Sequence, residues 1–353
     1  MDPFVYRSQA VRVVFGDGTL DRLGEEVDLL SIRRALVLTT AGHEAQGRAL
    51  ADRLKDRFAG VFPGAVMHTP LAVTEQALRF ASEVKADGVI ALGGGSTIGL
   101  GKAIGVRTGL PQIAIPTTYA GSEMTPILGE TADGVKTTRS DPAIAPKTVI
   151  YDVALTLSLP PRLVAVSGLN AMAHAVEALY ARDRNPVISL MAEEAIRAMA
   201  TALPAVVSGP SDREARANAL YGAWLCGLCL GSVGVALHHK LCHVLGGAFN
   251  LPHAETHAIV LPHALRYNAG AVPDAINRMT RIFAGRDPAD SLYDLGRQMQ
   301  IPASLREIGM PQDGIARAVD LTFANPYWNP RPLERGAIEA LIAHAWAGEP
   351  PGN

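Results

Sequence analysis

The sharpest constraint on this chain is a change of texture near residue 155. Before it, apolar runs alternate with helical stretches. The runs are VRVVFG (11–16), RALVLTT (34–40), AVMHTP (65–70), GVIALGGGS (88–96), PQIAIPTT (111–118) and KTVIYD (147–152). Helices are expected around 17–31, over 44–58 and over 74–86, the last with Ala77, Phe80, Ala81 and Val84 on its apolar stripe. Strands separated by helices predict a parallel sheet with helices on both faces. After residue 155, Ala, Leu and Met dominate and helical periodicity persists almost to the end. The spacing predicts helices over 160–182, 186–208, 211–235, 237–247, 254–268, 272–284, 288–300, 312–322 and 333–346. The fold class is therefore α/β plus all-α, with an α/β domain over 1–155 and an all-helical domain over 156–353. A length of 353 residues suits two domains. A crevice between two such halves is a usual place for a small-molecule site.

Charge narrows the function. A net charge of −2 gives no electrostatic reason to bind nucleic acid or anionic lipid. Three cysteines, an odd number, and an N-terminus with no apolar segment argue against a secreted disulfide framework and predict a cytoplasmic protein. The stretch Ala219–Leu237 is uncharged and nearly bilayer length, but Gly222, Gly227, Gly231 and Gly234 make it read as a buried core helix. Cys226 and Cys229 have redox or zinc spacing, yet they sit inside that helix, where cysteine is a good core residue. A zinc site using Cys242 is the lesser alternative.

Two clusters carry chemistry. Gly93-Gly94-Gly95-Ser96 follows a strand and opens a helix, where backbone N–H groups and the helix dipole suit a pyrophosphate. It is neither the first-strand dinucleotide fingerprint nor a P-loop, since Ser96 and Ala103 stand where a P-loop needs Gly and a hydroxyl. The loop IPTTYAGSEMTP (115–126) adds Thr117, Thr118 and Ser122 at a second strand end. The other cluster is histidine: six of the ten fall between 238 and 263. His239 and His243 are four apart and share a helix face, as do Asn170 and His174 upstream. His253 follows a turn expected at Gly246-Gly247. Asn170, His174, His239 and His253 resemble a tetrahedral metal site with a carboxamide in place of a carboxylate.

Taken jointly, GGGS, IPTT…GSE, GLNAMAHAVEA and the H-x3-H-x9-H run resemble the iron-containing (group III) alcohol dehydrogenase family, over residues 88 to 263. The resemblance implies a dehydroquinate synthase-like fold, with an N-terminal nucleotide-binding domain and a C-terminal helical domain, working as a homodimer. It implies NADH or NADPH as hydride donor, held by Gly93, Gly94, Gly95, Ser96, Thr117, Thr118 and Ser122. Metal-dependent members use an Asp and three His, which fall here at Asn170, His174, His239 and His253; His243 falls near the nicotinamide. Three departures, Asn170 for Asp, a short loop between Thr118 and Ser122, and Gly99 for an acidic residue, fit the branch that reduces maleylacetate. For that dicarboxylate substrate no metal is expected. His243 and His253 are the expected oxyanion donor and proton source, with His174, His239 and Asn170 orienting the substrate. Lys240 and His238 are expected to meet a carboxylate or face solvent. Thr40, at the end of its strand, stands where many relatives place an acidic group, so NADH use with NADPH tolerated is expected.

Overall fold

The computed structural model describes residues 3–8, 10–132, 135–324 and 327–352. It contains two compact units, Gln9–Leu159, and Pro160–Asn353 with Met1–Ser8.

The first unit is built on a six-stranded sheet. Its strands are β1 (Arg12–Gly16), β2 (Ala35–Leu38), β3 (Phe58–Phe62), β4 (Gly88–Gly93), β5 (Gln112–Pro116) and, after a β6–β7 pair, β8 (Thr148–Asp152). Their order is β1-β8-β5-β4-β2-β3, and every pairing is parallel. Strands β2, β4, β5 and β8 are buried throughout, which explains why they read as unbroken apolar runs rather than alternating ones. Helices α1 (Leu23–Leu29), α2 (Glu44–Ala49), α3 (Ala51–Leu54), α4 (Leu71–Glu83) and α5 (Gly95–Thr108) connect them. Two apolar clusters, one around Leu23, Val37 and Ile90 and one around Leu36, Val89 and Leu100, fill the space beside the sheet.

Two expectations fail here. The strand expected over 65–70 is irregular, with His68 and Thr69 at positive φ. The strand lies instead at Phe58–Phe62, just before Pro63-Gly64, and pairs with β2. The helix expected over 44–58 accordingly breaks into α2, α3 and a 3-10 turn ending at Arg57. The antiparallel pair β6 (Ile127–Ala132) and β7 (Val135–Ser140) was not anticipated. Its sequence cue is Asp-Gly at 133–134 between two extended runs, a hairpin signal.

The second unit is helical: α6 (Pro161–Ala178), α7 (Pro186–Ser208), α8 (Arg213–Ser232), α9 (Leu237–Phe249), α10 (His253–Asn268), α11 (Pro273–Ile282), α12 (Pro288–Gln298), α13 (Gly314–Ala324) and α14 (Arg335–Ala347). These agree closely with the periodicity in the sequence. Pro161 stands in the first turn of α6, where its missing N–H costs nothing. Helix α6 is buried almost all round and packs against α7, α8 and α10. Among the described residues no single helix is long and apolar enough to cross a membrane; α8 and α9 meet the length and composition only as a pair bent by 94°. Cys226 and Cys229 are buried inside α8, and burial pushes the Cys229 thiol up to about 12.

The turn expected at Gly246-Gly247 is not a turn. Both glycines lie within α9, which ends at Asn250 in the left-handed conformation, φ 52°. Asparagine tolerates that conformation better than most residues. Pro252 then stands at the N-cap position of α10.

Candidate active site

In the sheet unit, β4 and β5 are neighbours and Gly93 pairs with Pro116. The glycine turn and the 115–126 loop therefore leave the same carboxyl edge of the sheet, the edge where open α/β sheets take ligands. The Thr117 N–H donates to the Gly93 carbonyl at 3.1 Å, tying the two loops together. Gly93 has φ 148°, and a β-carbon there would stand 2.7 Å from the Thr97 hydroxyl. A β-carbon on Gly94 would stand 3.1 Å from the Thr118 methyl. Gly95 opens α5 and is exposed, with nothing within 4 Å of where its β-carbon would be. Among the described residues no side chain caps α5, so its first turn keeps N–H groups to offer an anion.

Below this edge Lys102 is fully buried. Its ammonium donates to the Ser122 carbonyl at 2.5 Å, to the Thr125 hydroxyl at 2.9 Å and to the Ile127 carbonyl at 2.9 Å. It is a staple for the 115–126 loop. Burial lowers its pKa to about 7, with Glu123 opposing the shift. Ser96, Thr118 and Ser122 are half-buried and Thr117 is buried. Thr40 does not end a strand, because β2 stops at Leu38, and its hydroxyl is 2.8 Å from His43 Nδ1.

In the helical unit, α6, α9 and α10 bring the expected histidines together. The rings of His174 and His239 stack with centroids 5.0 Å apart. His239 and His243 lie edge to face at 6.3 Å. His253, the first residue of α10, is 4.3 Å from His257, and His257 is 5.1 Å from His239. Asn170, one turn before His174 on α6, is buried. His243 and His253 are exposed at the rim, while His174 and His239 are buried. Three of these buried side chains carry a polar atom with no partner among the described residues: Asn170 Oδ1, His174 Nδ1 and His239 Nε2. Buried polar atoms are nearly always satisfied in native proteins, so a cluster of orphans marks a ligand site. Burial, helped by His239 and His253, lowers the His174 pKa well below its ordinary value and keeps that ring neutral.

Two residues of the site were not singled out from the sequence. Glu177 is wholly buried, and its carboxylate accepts from the backbone N–H of Ala236 (2.9 Å) and His238 (2.8 Å) and from His239 Nδ1 (2.7 Å). It thereby caps α9, whose own N-cap residue, Ala236, has no side-chain acceptor. It also fixes the His239 ring with Nε2 left for a ligand. The second residue is His257, one turn into α10. His238 corrects an expectation: it does not face solvent but is wholly buried, with Nε2 3.0 Å from His257 Nδ1. Its contact with a carboxylate runs through its backbone N–H, not its ring. Lys240 places its ammonium 5.3 Å from the centre of the Tyr327 ring.

Family models decide the ancestry. Residues 10–153 match the iron-containing alcohol dehydrogenase model, and residues 164–346 match the C-terminal model of the Fe-containing alcohol dehydrogenase family. The chain belongs to the iron-containing alcohol dehydrogenase family. Within it, maleylacetate reductase from Burkholderia cepacia is 52% identical, covering 99% of this chain and 100% of that protein. Maleylacetate reductase from Rhizobium sp. (strain MTP-10005) is 53% identical over the same shares. The crystal structure of maleylacetate reductase from Agrobacterium tumefaciens superposes with a TM-score of 0.97 at 52% identity, covering 99% of this chain and all of that one.

The family name raises the question of a metal. The residues at the expected ligand positions are three imidazoles and one carboxamide, with no anionic oxygen among them. A divalent cation held by neutral donors alone lacks the charge that a carboxylate ligand supplies. Three imidazoles alone can hold zinc, but without the carboxylate of the metal-dependent members this set should hold iron or zinc more weakly than theirs.

Proposed function

We propose that this protein reduces the carbon–carbon double bond of maleylacetate to 3-oxoadipate with NADH and without a metal. The observation that carries the reading is the histidine cluster itself: buried imidazoles and a carboxamide, with orphaned polar atoms. Full-length identity of about half to maleylacetate reductases supports it.

In this reading the glycine turn and the start of α5 take the cofactor's pyrophosphate, and the 115–126 loop completes the cradle. The substrate is a dicarboxylate whose alkene is conjugated to a ketone. Hydride from the reduced nicotinamide enters at the alkene carbon beta to the ketone. Charge moves to the ketone oxygen as an enolate, and a proton from the enzyme ends on the carbon alpha to the ketone. The enzyme's task is then to stabilise an oxyanion and deliver one proton. His243 and His253 are the proposed oxyanion donor and proton source; exposure at the rim lets either be reprotonated from solvent. His174, His239 and Asn170 orient the substrate. Neutral Thr40 leaves NADPH tolerated. A preference for NADH exceeding roughly a thousandfold in kcat/KM, about 4 kcal/mol, contradicts that last point. The working form is proposed to be a cytoplasmic homodimer.

The test is to mix protein, NADH and maleylacetate after exhaustive chelation and identify the product. Oxidation of NADH with formation of 3-oxoadipate supports the reading; no turnover, or turnover restored only by added iron or zinc, defeats it. One observation favours that second, metal-dependent reading. Glu177 on His239 Nδ1 is how metal-ligating histidines are commonly oriented.

A further inference from the structure

Overlapping the cluster is a second set of polar groups that the reading above does not use: His238, Cys242 and His257, all buried, with ligand atoms within 4.8 Å of one another. Their spacing invites a zinc ion, but the contacts point elsewhere. His238 Nε2 and His257 Nδ1 are 3.0 Å apart, a hydrogen bond in which one proton already lies between the two atoms a metal needs. Cys242 Sγ is 3.7 Å from the same His238 Nε2.

The shared proton has a direction. A neutral imidazole carries one N–H, and its other nitrogen has a single in-plane lone pair. If His257 Nδ1 were the donor, His238 Nε2 would spend its single lone pair on that N–H, and the Cys242 sulfur 3.7 Å away would gain neither a donor nor an acceptor there. If His238 Nε2 is the donor, its N–H points to His257 Nδ1 with the sulfur as a weak second acceptor, and no group is contested. The second arrangement leaves His238 Nδ1 as a bare acceptor and places the remaining proton on His257 Nε2. Both of those atoms are buried without a partner among the described residues. An orphaned acceptor is the more tolerable of the two; the orphaned donor needs a ligand.

We propose that His257 is a catalytic residue of this enzyme: its neutral Nε2–H, fixed as a donor by His238 and Cys242, binds the substrate's ketone oxygen and stabilises the enolate. The proposal rests on the maleylacetate reading. Its place supports it, since the His257 ring is 4.3 Å from His253 and 5.1 Å from His239, inside the cluster. Oxyanion sites work with paired donors, and His257 supplies a second beside the exposed one. His238 and Cys242 are positioning residues that act through it.

Three measurements test this. Histidine-selective ¹⁵N NMR of the wild-type protein reports the tautomers without activity; His257 should carry its proton on Nε2, and a proton on Nδ1 overturns the proposal. In kinetics, His257→Asn keeps a group near His238 but removes the Nε2 donor. It should lower kcat about 100–1,000-fold with KM within roughly threefold, while His257→Gln, whose amide reaches the Nε2 position, should recover at least about tenfold. A rise in KM alone would instead make His257 an anchor for a substrate carboxylate, and equal losses in both variants would make it structural; either result overturns the assignment. Zinc bound at one per chain and lost in Cys242→Ser would overturn it as well. If the wild-type protein does not turn over maleylacetate at all, the functional reading falls, whereas the tautomer measurement still stands or falls by itself.

Discussion

At the scale of single residues, the site turns on which groups bring charge. Asn170 offers an amide where metal-dependent relatives offer a carboxylate. Asn170→Asp should therefore raise the affinity for zinc at least about tenfold, or 1.4 kcal/mol, and slow alkene reduction; titration calorimetry and NADH kinetics check the two halves. Unchanged zinc affinity would refute the electrostatic account. A buried carboxylate against the rings belongs to Glu177, and its work is divided between His239 and the start of α9. In Glu177→Ala two buried backbone donors lose their acceptor, each costing about 1–3 kcal/mol. Urea unfolding should show a loss of that order, and a loss below 1 kcal/mol would mean water replaces the carboxylate. The shared helix faces of Asn170 with His174 and of His239 with His243 were legible in the sequence because residues four apart lie on one face, whereas His253 was placed by the expected turn and by the family resemblance. Glu177 was not legible, because a lone acid in HAVEA has the spacing of an ordinary solvated helix face. Only the docking of α9 onto α6 gives it partners.

Elements were legible to the extent that their signal was local. Helices from α6 to α14 follow the apolar period of the sequence within a few residues, and the buried central strands follow as unbroken apolar runs. Strand β3 was missed because FAGVF is half-buried and holds a glycine with φ 151°, so neither alternation nor a continuous apolar run marks it. The glycine run before α5 is expected to let the backbone approach an anion, and its three glycines differ in what surrounds them. Gly93 is held by its dihedral and by Thr97, and Gly94 by Thr118, whereas a β-carbon on Gly95 would meet nothing within 4 Å among the described residues. Gly95→Ala thus separates structure from ligand. Alanine at the start of a helix should leave stability within about 0.5 kcal/mol, but a methyl directed at a bound pyrophosphate should weaken NADH at least about tenfold. Fluorescence titration of NADH decides it. Unaltered affinity would remove the cofactor from this cradle.

For the molecule as a whole, the helical unit stores an acid sensitivity that no motif in the sequence announces. Burial lowers the pKa of His263 from its ordinary 6.5 to about 4, with His344 adding to the shift. His174, His238 and His257 are lowered well below 6.5 for the same first reason, burial, with neighbouring histidines contributing. Each ring is kept neutral by the fold and becomes protonated near its ordinary value once unfolded. Between pH 6.5 and each folded-state pKa the unfolded chain therefore binds more protons, so stability falls as pH falls through that window. Each such histidine contributes a slope of at most about 1.4 kcal/mol per pH unit. Urea unfolding at pH 8, 7, 6 and 5 should show stability nearly level from 8 to 7 and dropping steeply below 6.5 as the four contributions add. His263 sits apart from the ring cluster, so His263→Gln should remove its own share of that slope and leave the rest. A pH dependence identical to wild type in this variant would mean that His263 is already protonated in the folded protein, and that burial does not hold these imidazoles neutral.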